Sequence, residues 1–217
     1  MMEWINLLGR LIAVSAIVIL TLGGLLSITT KQYAEKNWTL TYLLFLLATE
    51  GLASYIGFYR QESVFFMFIL SFFLHFSFLN LYYNHFLFQH PPWKTLLTAS
   101  LGLIPFLLFA LPEPYYHLFR YYDRLPFSFS IMLASLLYFY QLVSGKRNYE
   151  KPTTFLNASI LLFFSLDAFL ALATEYLIHE NLILVSGFWT IRAICLQLFY
   201  SALIYHGWAR SKMPLQF

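Results

Sequence analysis

Water-seeking side chains are scarce in this chain. Lys and Arg together number 13 and Asp and Glu 10 in 217 residues, which makes 11% charged. A soluble domain usually carries about a quarter, so a single membrane-embedded domain over 1–217, with no soluble domain, is expected. The formal charge of +3 is small and spread over short connections, which excludes a basic face for nucleic acid. Cysteine occurs once, as Cys195, so an internal disulfide and a cysteine-cluster metal site are excluded. No two of the six histidines share a metal-ligand spacing. Lysine is missing from the interior of every long apolar run, which rules out a retinal Schiff base, and no cofactor is expected. There is no Gly-x-Ser-x-Gly elbow, no His-Glu-x-x-His and no phosphate loop, so no catalytic residue is assigned.

What is abundant is apolar. Hydrophobic residues make up 60% of the chain, with 24 Phe and 16 Tyr. A helix needs about 20 residues to cross the hydrocarbon core. Seven stretches meet that length, at 4–28, 38–59, 63–88, 93–111, 125–143, 153–178 and 182–208. Strict alternation is absent, so a barrel is excluded and the spans are read as helices. The fold expected is an all-α, polytopic transmembrane bundle of seven helices. The start, Met1-Met2-Glu3-Trp4, lacks a basic run, and no small-residue cleavage pattern follows, so the first span is expected to be retained. Pro91, Pro92, Pro112, Pro114, Pro126, Pro152 and Pro214 fall in connections or at helix starts. Pro105 alone lies within a span, which it is expected to kink beside Gly102.

Basic residues set the direction. With the N-terminus outside, the inner connections and tail hold Lys31, Lys36, Lys94, Lys146, Arg147, Lys151, Arg210 and Lys212, against Arg60, Arg120 and Arg124 outside. Under the positive-inside rule this predicts N-out, C-in, in a bacterial inner membrane. Tyr82, Tyr83, Tyr138 and Tyr140 then fall near the inner helix ends, where belt residues sit.

A charge near the membrane centre costs roughly 2.5–3.5 kcal/mol, so charges within spans are the default site candidates. They are Arg10, Glu50, Asp167, Glu175 and Arg192, joined by His75. By distance from the span ends, all six fall between the midplane and the outer face. Asp167, Ala171 and Glu175 share one helix face. Two readings remain open. The six either glue the bundle together as a buried polar network or line an outward-facing pocket for a small ligand or ion. His75, among phenylalanines, is read first as a satisfied buried side chain. Leu47-Ala48-Thr49-Glu50 recurs as Leu172-Ala173-Thr174-Glu175, which leaves a parallel internal repeat open.

Thr49-Glu50, the run Tyr138-Phe139-Tyr140-Gln141-Leu142, Phe155, Asn157 and Trp189 resemble a group of seven-helix membrane proteins of similar length, common in the Bacteroidetes. The resemblance spans nearly the whole chain. It carries no activity over, but the group's frequent encoding beside two-component signalling genes implies a sensory role. The expectation is a receptor or sensor with an outward-facing polar pocket, embedded in the lipid bilayer and signalling through a cytoplasmic partner at the inner basic loops. The alternatives are a small-solute or proton-coupled ion transporter and an integral-membrane lipid-modifying enzyme.

Overall fold

A computed structural model describes residues 2–29, 38–60, 65–88, 125–180 and 182–211. The described chain is all-α. Its helices are α1 (Met2–Thr29), α2 (Trp38–Ser54), α3 (Phe65–Leu81), α4 (Leu125–Val143), α5 (Lys151–Glu180) and α6 (Leu182–Ser211). α2 runs on as a π-helical turn, Tyr55–Arg60, and α3 as another, Tyr82–Leu87. These six helices fall on six of the seven expected spans, with ends differing by a few residues. The expected span 93–111, its Pro105 kink and the loop 112–124 lie outside the described residues.

Five of the helices are long and apolar enough to cross a membrane: α1, α2, α4, α5 and α6. α3 has 17 residues before its π turn lengthens it. The side chains sort as lipid solvent requires. On α1, Leu7, Leu11, Val14, Val18, Leu22 and Leu25 recur at helical spacing and are exposed, while Ala16 and Leu20 are buried. Hydroxyls close on carbonyls of their own helix, as in Ser27 to Gly23 and Thr49 to Phe45, so no polar group is offered to hydrocarbon at those points.

The helices close a ring. Each packs on the next, and α6 returns to α1 while also touching α2. The interior is aromatic, with Tyr42, Phe127, Phe163, Phe164, Phe199 and Tyr200 fully buried. At one point the ring closes tightly. A Cβ placed on Gly23 of α1 would lie 2.5 Å from both Cγ1 and Cδ1 of Ile204 on α6. Small residues let membrane helices approach in this way. Gly23→Val is therefore expected to destabilise by about 1–3 kcal/mol, the usual effect of overpacking. Thermal melting in detergent would read this, and an unchanged melting temperature would disprove the close contact.

The α4–α5 connection is built to turn. Gly145 adopts φ 70°, its N–H donates to the Leu142 carbonyl at 3.2 Å, and the Lys146 N–H donates to the Gln141 carbonyl at 3.0 Å. This pair of bonds is a Schellman cap, which needs the left-handed residue that glycine supplies most cheaply. The next residue, Arg147, is half-buried against the protein. It donates to the Leu87 carbonyl at 2.5 Å and to Gln141 Oε1 at 3.3 Å, and lies over the Tyr138 ring. The turn after α4 is thus latched to the end of α3.

Candidate functional site

Two buried charges meet at the α5–α6 contact. Arg192 Nε donates to Asp167 Oδ1 at 2.7 Å, with side chains 9% and 1% exposed. The other Asp167 oxygen, Oδ2, accepts from Ser128 of α4 at 2.9 Å. Each carboxylate oxygen thus has one partner, and the group is held between α4 and α6. The guanidinium packs over aromatic rings, 5.2 Å from the centroids of Phe163 and Trp189 and 5.7 Å from that of Phe72. A desolvated ion pair holds only when its remaining faces are filled, and these rings fill them.

Glu50 of α2 sits apart from that pair. Its Oε1 accepts from the Tyr200 hydroxyl at 2.8 Å, and it is within electrostatic reach of Arg192 but makes no ion pair with it. His75 of α3 is 3% exposed, and its Nδ1 lies 2.5 Å from the Tyr42 hydroxyl. Its ring stacks on Tyr200 and is enclosed by Phe163, Phe164 and Phe199. With Tyr42 as the donor, the imidazole proton rests on Nε2.

A cavity of about 230 Å³ opens between α1, α2, α3 and α6. Its polar lining is Thr49, Glu50, Ser71, His75, Arg192 and Gln197, with Trp189 beside them. The rest is small or apolar, including Ala13, Ala16, Ala53, Ala193, Ile12 and Met67. Gln197 sets one edge. Its amide donates to Ser15 Oγ at 2.7 Å and to the Ile12 carbonyl at 3.2 Å, which pins α6 to α1.

Four of the six expected residues thus converge: Glu50, His75 and Arg192 line the cavity, and Asp167 stands behind Arg192. Arg10 does not join them. It is exposed on α1 and lines a separate groove with Gly51, Ser54 and Tyr55 of α2. The Glu175 side chain lies outside the described residues, and with it the comparison of the two Leu-Ala-Thr-Glu segments. Among the described residues no group of three His, Cys, Asp or Glu side chains could hold a metal ion.

Sequence reasoning did not single out Tyr42, Ser128 and Tyr200, the partners that fix each charged group. It also placed Tyr82, Tyr83 and Tyr138 in the interfacial belt. They are instead at most 1% exposed and belong to a second polar cluster around Asn157. Tyr83 donates to Asn157 Oδ1 at 2.8 Å, and Asn157 Nδ2 donates to the Tyr82 hydroxyl at 3.3 Å and the Thr153 carbonyl at 2.8 Å. Tyr138 and Thr154 hydroxyls are 2.8 Å apart alongside. Tyr140 alone of the four is exposed, beneath Lys146.

No protein-family model, no curated protein and no solved structure matches this chain. Geometry alone therefore defines the class: an α-helical bundle apt for a membrane, with a charged, partly open cavity in one half and a closed hydrogen-bonded cluster in the other.

Proposed function

We propose that this protein is a receptor or sensor in the bacterial inner membrane, with seven helices, the N-terminus out and the cavity facing outward. The observation that carries the reading is the Arg192 guanidinium. Its Nε is committed to Asp167, its two terminal nitrogens have no hydrogen-bond partner among the described residues, and it lines an open cavity together with Glu50. A network built only for stability would bury its donors against acceptors. Small-molecule sites are concave, mostly apolar and furnished with a few convergent polar groups, and this cavity fits that pattern.

A carrier would need a route from the cavity to the other face. Phe76, Leu79, Phe163, Phe199 and Leu203 are buried between His75 and the Asn157 cluster, and this apolar layer speaks for a receptor over a carrier. A lipid-modifying enzyme working through Asp167 would need that acid free, and it is bonded to both Arg192 and Ser128. On the opposite face Lys146 and Lys151 are exposed and would meet a cytoplasmic partner, while Arg147 is held by its own chain.

Occupancy of the cavity is testable without knowing the ligand. Ala53 lines it, and Ala53→Leu is expected to fill it, leaving the resting melting temperature within a few degrees. The measurement is a thermal-shift screen of small polar compounds on wild type and variant. Compounds that stabilise the wild type should lose their effect in the variant. A screen in which stabilisation is the same in both would end the pocket reading.

A further inference from the structure

We infer that the cavity takes a small zwitterion, with its anionic group on the terminal N–H edge of Arg192 and its cationic group on Glu50. This rests on the receptor reading and narrows it to a ligand class. Three observations lead there.

The first is the Arg192 edge. Asp167 takes Nε–H, and the ring faces of Phe163 and Trp189 hold the guanidinium plane. What remains is a planar pair of N–H donors on a rigid support, the geometry that grips a carboxylate or similar oxyanion. Donors in a desolvated site are costly while unfilled.

The second is the imbalance of charge. Asp167 neutralises Arg192, so the Glu50 carboxylate is the charge left over in the cavity wall. Tyr200 gives it one hydrogen bond, and it has no cationic partner among the described residues. A ligand that is only an anion would set a second negative charge near it. A ligand that is only a cation would leave the Arg192 edge empty. A zwitterion fills both and adds no net charge to the interior, which avoids an uncompensated buried ion.

The third is size. At about 230 Å³, with Ala13, Ala16, Ala53 and Ala193 in its wall, the cavity matches a small compound in size. The ligand class is thus amino-acid-like: one acidic group, one ammonium, a short carbon frame.

The test uses the purified full-length protein in detergent or nanodiscs. Thermal shift and calorimetric titration would compare glycine, β-alanine and γ-aminobutyrate with propionate and with propylammonium. At least one zwitterion should stabilise the protein saturably, and the two singly charged compounds should need on the order of tenfold higher concentration or more. Glu50→Gln keeps an acceptor for Tyr200 and should erase the preference, so that propionate binds as well as the zwitterions. The wild-type comparison decides the matter even where that variant unfolds. Equal or better binding of propionate, or of propylammonium, overturns the zwitterion assignment and leaves the receptor reading standing. Stabilisation by none of the three charge classes overturns both.

Discussion

Asp167→Ala is expected to destabilise the protein by about 3–5 kcal/mol, the range found when one partner of a buried ion pair is removed. The loss has two parts. Arg192 would be left as an uncompensated cation, 7% exposed, among Phe72, Phe163 and Trp189. Ser128, itself fully buried, would lose its acceptor. The pair as such is worth much less than this, because two apolar side chains in its place would carry no desolvation penalty. The double substitution Asp167→Leu with Arg192→Leu should therefore recover most of what Asp167→Ala loses. Unfolding of all three forms in mixed micelles would measure it. A single-variant loss below about 1 kcal/mol would mean that water reaches the pair and that it is not buried.

The second large effect is expected at Asn157. Asn157→Leu should cost about 1–3 kcal/mol, since Tyr83 would lose its acceptor Asn157 Oδ1 and Tyr82 the amide donor Asn157 Nδ2, both residues being 1% exposed. Hydrogen bonds between membrane helices average only about 0.6 kcal/mol by double-mutant cycle, so the magnitude comes from losing several of them together. Tyr83→Phe should then cost less in the Asn157→Leu background than in the wild type, because the bond to Asn157 is already gone. Tyr140→Phe, at a position 62% exposed, should change stability by no more than about 0.5 kcal/mol. Were the two substitutions simply to add, with no coupling between them, the cluster would not be the bonded one described.

Much of the fold was readable from the sequence, because lipid narrows the choices. Length, apolarity and proline placement were enough to locate six described helices, and α4 coincides with its expected span, Leu125–Val143. The π turns ending α2 and α3 left no trace in composition, since they depend on one extra residue per turn and on no residue type. The rule that a charge in a span needs a reason picked out Glu50, His75, Asp167 and Arg192. It could not choose among Glu50, Asp167 and Glu175 as the partner of Arg192, and of these the side chains of Glu50 and Asp167 are described. Both carboxylates are within a helix diameter in many packings, and only the α5–α6 contact decides. Arg10 obeys the same rule and still faces outward, because a long side chain near a helix end can reach the interface. The tyrosines were misplaced for a physical reason. A phenol near a helix end suits an interfacial belt and a buried polar cluster equally well, and Asn157, a neutral residue with no charge to flag it, tipped the balance.

The Asp167–Arg192 pair spans 25 residues, from α5 to the very next helix. α5 ends at Glu180 and α6 begins at Leu182, so the two partners belong to one hairpin. That matters for how the chain enters the bilayer during synthesis. Either helix alone would carry Asp167 or Arg192 unpaired into hydrocarbon, but a hairpin leaving the translocon as a unit carries the two as an ion pair. No other helix has to be in place first. The same residues that shape the cavity wall thus let the last third of the chain integrate on its own, as a hairpin with its ion pair already made when it packs on the earlier helices α1 and α2.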